Sequence, residues 1–445
     1  MKITQKQNWK FSGKTYFVIL PLLFYTSFLF GNPDSLQAIK YYDFAYQYYN
    51  NAKYDSAQIY FEKTQHLYEK MGNWEKVILC RNEVAWCLFE KGNYQKAINI
   101  LNNTLILASD KFGEVTDNLI STYSHLGTVY RSLGIYDKAL EYDHKCLELD
   151  TKYFGENSIY VAGDLNNLGL LYTDLGNYDK AYYYLNKCLQ IARELLDPYD
   201  HRLSNGYMNL ANVLYYLGDL SKVLEYYQHS LKIDIKTFGE NHPETALIYY
   251  NLGNLLLLTG DYETAKKHFN KCLKIRLEVF GEMNDDVGLT YSKIGDLNFF
   301  LRNYEIAMQN FYKAEDICIN TLGEIHPFIA EIRLDMGRTM IETGELDTSL
   351  YYLKSALNIY ENIYKDKHPY IANVRLEIGD NYAKQRKYKT ALKNYQLGLK
   401  ASIPEFQQDD IYLNPKISES SPTMSLLELI KVKAECFYDY FNSYN

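Results

Sequence analysis

Apolar residues of this chain recur at helical spacing, stop, and then start again. Leu165, Leu168, Leu171, Tyr172 and Leu175 fall three or four apart, which is the spacing of one buried helix face. A glycine then breaks the pattern, at Gly92, Gly134, Gly176, Gly218, Gly260 and Gly344. Glycine just past a helix accepts the left-handed backbone that ends it. A second periodic stretch follows, with a small residue near its start. It closes on an F-G-E phrase that begins at Phe112, Phe154, Phe238 and Phe280. Pro243, Pro327 and Pro369 then open the next stretch, at the helix position where a missing N–H costs nothing. The pattern predicts helix pairs, one after another.

The pairs keep a fixed period. A small residue inside the first helix falls at Ala85, Gly127, Gly169, Ala211, Gly253, Gly295, Gly337 and Gly379, each step being 42 residues. A second column runs Tyr94, Tyr136, Tyr178, Leu220, Tyr262, Tyr304, Leu346, Tyr388. A third runs Ala97, Ala139, Ala181, Val223, Ala265, Ala307, Ser349, Ala391. A ninth unit, around Ala45, Tyr54 and Ala57, stands 40 residues upstream of its counterparts. Repeats of 20–50 residues mean a solenoid or an array. One helix pair cannot bury its own apolar faces, so such an array is stable only as neighbours on neighbours. The fold expected is all-α, a right-handed superhelical solenoid of about nine helix pairs with a C-terminal capping helix. The small residues, Gly169 and Ala181 in one unit, are expected where the two helices of a pair cross and their backbones close up; a large side chain there would overpack the contact.

The phrase NLGLLYTDLGNYDKA at residues 167–181 carries a resemblance. With N-L-G-x-x-Y followed by G-x-Y-x-x-A, the chain resembles the tetratricopeptide repeat in its 42-residue, kinesin-light-chain form with an H-P loop. The resemblance spans about residues 34–400. Arg302 and Arg386 depart from it by replacing the turn glycine, and Leu220, Leu346 and Ser349 soften their columns. Residues 401–445 break the register with Pro404, Pro415 and Pro422, then read as one more amphipathic helix. This tail is similar to the junction at which bacterial repeat arrays lead into a CHAT domain, a caspase-like protease. Such a protease needs a His and a nucleophilic Cys, yet no His follows His368 and the only late Cys is Cys436.

Composition narrows the function. The chain of 445 residues has 46 tyrosines and a net charge of −8. Amphipathic aromatics on that scale point to interfaces. An acidic chain with no basic stripe is a poor nucleic-acid binder. At the N-terminus, Lys2, Lys6, Lys10 and Lys14 precede an apolar run over residues 16–30. That order fits an export signal over residues 1–31, cleaved after Gly31. The alternative is an uncleaved anchor, for which the run is short against the roughly 20 residues of a membrane span. The expectation is an exported protein, periplasmic or secreted, or one tethered to a membrane by residues 16–30.

No catalytic or metal motif is present, and neither a cofactor nor an enzymatic activity is expected. Cys146, Cys188 and Cys272 share a column with Ser230, Ala314, Ala356 and Gly398. That column demands small side chains, and a buried Cys behaves as a small hydrophobe. His242, His326 and His368 each precede a proline in a different unit, so they cannot converge on one metal and serve locally, at the start of the next helix. The first helices carry the more telling residues. Asn167, Asn209 and Asn251 stand two before the small residue in three successive units, and Asn212 and Asn254 fall one turn further on the same side. Tyr216 shares a groove-facing column with Leu258 and Phe300. An Asn side chain donates and accepts, so it can hold a peptide bond whatever side chain that bond carries. The family resemblance implies the same use of matched Asn residues. The plain alternative is that Asn suits the repeat and bonds inside it. The ladder breaks at His125, Lys293, Asp335 and Glu377, which centres it on residues 160–260. Tyr207, Tyr249 and Tyr291, with Tyr123, are expected to pack between successive units. The function expected is a non-catalytic scaffold that binds a protein or an extended peptide in the concave groove. The alternatives are the regulatory half of a split CHAT protease and a membrane-tethered envelope scaffold.

Overall fold

The computed structural model describes residues 33–51, 53–113, 119–365, 368–403, 406–415 and 424–442. The expected export segment lies outside them. Among the described residues no helix is long and apolar enough to cross a membrane. The described residues form helices joined by short turns, with no strand.

The chain divides into two units at Ile233 and Asp234. The first holds α1 (Pro33–Asn50), α2 (Tyr54–Lys70), α3 (Trp74–Glu90), α4 (Tyr94–Phe112), α5 (Ile120–Ser132), α6 (Tyr136–Phe154), α7 (Ile159–Asp174), α8 (Tyr178–Leu195), α9 (His201–Leu217) and the start of α10 (Leu220–Phe238). The second holds the end of α10, then α11 (Pro243–Thr259), α12 (Tyr262–Phe280), α13 (Asp285–Phe300), α14 (Tyr304–Leu322), α15 (Pro327–Thr343), α16 (Leu346–Tyr364), α17 (Pro369–Lys384), α18 (Tyr388–Ser402) and α19 (Met424–Asn442). Within each unit a first helix packs on its own second helix, α7 on α8 or α17 on α18, and each second helix packs on the next first helix. Each unit is therefore a run of helix pairs sharing one interior, as the 42-residue period requires.

The helix ends follow from named residues. His242, His326 and His368 are N-caps: the Nδ1 of each accepts the backbone N–H two residues on, at 3.2 Å. The following proline takes the first helical position. This is the local role expected of these histidines. Gly218, Gly260 and Gly344 close α9, α11 and α15 in the left-handed region. Arg302 and Arg386 stand where other units place that glycine, and they adopt the same backbone, with φ of 60° and 59°. A side chain in that region costs roughly 1–2 kcal/mol.

The reason for the small residue differs from the expectation. A Cβ on Gly169 would meet the Leu185 side chain at 2.5 Å rather than the backbone at Ala181. Gly253 faces the Phe269 ring at 2.6 Å, Gly295 the Phe311 ring at 2.5 Å, and Gly337 faces Leu353 at 2.6 Å. The small residue is a socket. Its plug stands one helical turn beyond the alanine column, at Phe61, Leu101, Leu185, Phe269, Phe311, Leu353 and Tyr395, all fully enclosed. Burying one such side chain contributes about 1.5–3 kcal/mol, so the plug column is a main source of pair stability. The tyrosine column does more than expected. Tyr207 on α9 stacks on His229 of α10, and Tyr249 on α11 stacks on His268 of α12. These rings stack within one pair, while Tyr207 also packs against the cluster that holds Leu185 and Leu189 of α8 and Tyr123 against Ile78 and Ala108 of the preceding pair, as expected. All seven cysteines are buried and free.

Candidate functional site

In the first unit the nominated residues lie on α7 and α9. Asn209 is only 2% exposed. Its Nδ2 donates to Asn166 Oδ1 at 2.8 Å, tying α9 to α7. Asn212 is half-buried and its Oδ1 accepts the Tyr227 hydroxyl at 2.7 Å. Tyr216 is half-buried, its ring flat on Tyr178 with centroids 4.6 Å apart. Asn167 is half-buried. In the second unit Asn251 and Asn254 on α11 are half-buried. Asn254 shares a hydrogen bond with the Tyr250 hydroxyl. The Asn251 Nδ2 is enclosed and finds no acceptor among the described residues.

The columns that carry Asn in the middle of the chain carry charge on α13, α15 and α17. Lys293 bonds Asp296 at 2.8 Å and Glu331 at 3.2 Å. Arg338 reaches Glu377 at 2.9 Å and Asp335 at 3.6 Å. Burial works against the Lys293 charge, yet Asp296 and Glu331 hold its ammonium well above the usual lysine range. Burial, with Glu377 beside it, pushes Asp380 up to about 7, while the Tyr395 hydroxyl donates to Asp380 Oδ1 at 2.6 Å. A cavity of about 380 Å³ opens beside this network, between α15, α17 and α19. Its walls include Glu377, Asp380 and Lys384 from α17 and Glu428, Glu435 and Asp439 from α19.

Two features escaped the sequence reading. The ion-pair network stands where the Asn ladder breaks, and its signal was opposite charge three residues apart, Lys293 with Asp296 and Asp335 with Arg338. The other is a set of enclosed carboxyl groups in the first unit. Asp143 and Asp150 on α6 and Asp164 on α7 are all buried. Asp143 occupies the plug column and stands against Gly127. Burial pushes it up to about 7, with Arg131 pulling the other way. Burial, then Asp150, pushes Asp164 up to about 9. One carboxyl oxygen each of Asp150 and Asp164 has no hydrogen-bond partner among the described residues. An acid in a column of Phe, Leu and Tyr was legible once the column was recognised. No His, Cys, Asp and Glu group among the described residues could hold a metal ion.

Comparison with known proteins bears on the whole array. A family model described as tetratricopeptide repeat matches residues 118–194, 160–236, 202–278, 286–362 and 341–402. The apo form of the quorum sensor NprR from B. thuringiensis is similar in structure, with a TM-score of 0.60 and 15% identity, over 78% of this chain and 96% of that one. A Rap protein complexed with Competence and Sporulation Factor gives 0.52 and 12% identity, over 82% and 99%. The STAND protein PH0952 from Pyrococcus horikoshii, with a tetratricopeptide repeat sensor, gives 0.52 and 16%, over 77% and 52%. At these identities the likeness is one of fold. No curated protein matches the chain in sequence. The stacked 42-residue pairs, their sockets and plugs, and the family match along most of their length place this chain in the tetratricopeptide-repeat family.

Proposed function

We propose that the chain is a non-catalytic scaffold that holds a protein or extended peptide segment against the polar columns of its first helices. The observation that carries this reading is the cavity between α15, α17 and α19. It is lined by Arg338, Glu377, Asp380 and Lys384, which stand in the columns that carry the Asn ladder or one turn from it. Those columns therefore border open space in the second unit while the apolar faces are spent on packing. The cavity walls hold more carboxylates than cations, so the segment it suits is basic. In the first unit Asn167 is the half-exposed amide suited to a peptide bond, contributing about 0.5–1.5 kcal/mol net, while the Asn212 Oδ1 already accepts the Tyr227 hydroxyl. Asn209 is given a structural part, since its amide already serves Asn166.

The test begins with co-purification of a partner from the native host, followed by titration against variants. Asn167→Ala is expected to weaken binding several-fold with melting nearly unchanged. Asn209→Ala is expected to lower melting instead, by the roughly 1 kcal/mol of a lost inter-helix hydrogen bond. Asp380→Asn with Glu377→Gln should weaken a basic partner, more so at low salt. A partner bound equally by all of these variants would remove the first-helix columns from the reading.

A further inference from the structure

We infer that the junction between α6 and α7 is a proton-operated clasp: Asp150 of α6 and Asp164 of α7 hold one proton between them, and its loss parts the two helix pairs. This device belongs to the fold of the first unit and stands apart from partner binding on the polar columns. It rests on which groups meet at the junction. Asp150 is 4% exposed and Asp164 6%, and the two carboxyls share a hydrogen bond. A carboxylate only accepts, so a hydrogen bond between two carboxyls requires one of them to be protonated and to donate. The other oxygens, Asp150 Oδ1 and Asp164 Oδ2, are enclosed and find no partner among the described residues. Ionising both acids would set two like charges in contact away from water, and such a pair keeps one proton instead.

The surrounding helices bring no relief. From α5, Arg131 acts on Asp143, and its guanidinium is already bound to Asp174 at 2.5 Å. On α6 itself the neighbours are Asp143 and Cys146, and Asp143 works against the Asp164 charge. From α8, Cys188 and Tyr184 pack with Val161 and Leu165 of α7. Burial pushes the Cys188 thiol up to about 12 and raises the Tyr184 hydroxyl as well, so both stay neutral. Helix α9 meets α7 through the uncharged Asn209–Asn166 bond.

The repeat register shows that the fold does not need acids here. At the junctions that follow, the same two positions carry Ala192 and Gly206, Asp234 and Ile248, Arg276 and Thr290, Cys318 and Ile332, and Tyr360 and Val374. Where both are polar, at α12 and α13, the pair is matched: Arg276 donates to Thr290 Oγ1 and to the Asp286 carbonyl, each at 2.8 Å. Acid against acid stands at α6 and α7 alone among these junctions, so closure there follows the proton. Burial, then Asp150, raises Asp164 from 3.8 to about 9, and burial raises Asp150 too. The closed junction therefore binds the proton more tightly than the open one. Its closure is favoured in full below about pH 4 and is lost as pH rises through about 9.

The experiment is amide exchange of the full chain, corrected for intrinsic rate, from about pH 5 to about pH 8. It is read at the amides of α6 and α7, with those of α12 and α13 as internal reference. One proton lost per opening raises the opening constant about tenfold per pH unit, and that slope is expected. Asp150→Asn with Asp164→Asn, whose amides can bond each other, should flatten it. Asp150→Arg, which copies Arg276 and gives Asp164 a cation, should keep the junction closed at the upper pH. Asp143→Asn should leave the slope in place. The infrared band of protonated carboxyl should persist near neutral pH in the parent and be smaller in the double Asn variant. A junction equally protected across the range, a slope that survives in the double Asn variant or disappears with Asp143→Asn, or an equal carboxyl band in parent and double variant would overturn the inference.

Discussion

Asp143→Leu should stabilise the first unit, and more strongly as pH rises. Asp143 is 5% exposed in a column whose other members include Leu101, Leu185 and Leu353. Leucine fits this site by analogy, since Leu185 already plugs Gly169 in the next pair. Burying the leucine contributes about 2 kcal/mol at any pH. The carboxyl adds a pH-dependent part. Burial raises Asp143 from an ordinary 3.8 to about 7, so the folded chain binds its proton more tightly than the unfolded chain does. The stability it permits is fully present below about pH 4 and is lost as pH rises through 7. A shift of that size is worth roughly 4 kcal/mol by pH 8. The variant's advantage is therefore about 2 kcal/mol at pH 4 and roughly 6 kcal/mol at pH 8. Stacked repeats need not unfold in one step. The assay is amide exchange of α5 and α6, corrected for intrinsic rate, beside melting followed by circular dichroism at both pH values. Asp143→Asn separates titration from packing, since it removes the first and leaves a polar group in the socket. Asp150 and Asp164 titrate in the same direction, so the quantity to compare is variant minus parent. A variant that melts below the parent at pH 8, or whose advantage is the same at both pH values, would refute the reasoning.

Other substitutions test other parts of the fold. Arg302→Gly and Arg386→Gly relieve left-handed side-chain residues and should each raise stability by about 1 kcal/mol in chemical denaturation. Ser349→Ala should stabilise by about 1 kcal/mol, because the Ser349 hydroxyl is buried without a partner among the described residues in a column of alanines. Gly253→Ala should lower melting, at a cost of about 1–3 kcal/mol, because the Phe269 ring occupies the site of the added methyl.

Local rules made most of the fold legible before any coordinates. The glycine stops, the proline starts and the 42-residue columns each act within one helix pair, and the pairs follow them. What a column is for was harder to read. Gly169 and Ala181 looked like two halves of one crossing, yet the side chain over Gly169 belongs to Leu185, a position that carries no distinctive letter. The Asn ladder shows the limit most clearly. Sequence places Asn167, Asn209 and Asn251 on one side of their helices, but whether an amide is free depends on its neighbour. Asn209 meets Asn166 and turns inward, whereas Asn167 stays half-exposed. Charge partners were hidden for the same reason. Lys293 and Glu331 belong to different repeats, and periodicity alone does not say which members of two columns touch.

The buried thiols have a practical consequence. Cys80, Cys87, Cys146 and Cys188 lie along the first unit, and Cys272, Cys318 and Cys436 along the second. Each is enclosed, and burial pushes Cys80, Cys87, Cys188 and Cys318 up to about 12. A thiolate reagent therefore finds almost no nucleophile until a segment opens. The chain carries its own string of reporters, and the order in which they become alkylated under mild denaturant would map where unravelling starts and which way it spreads.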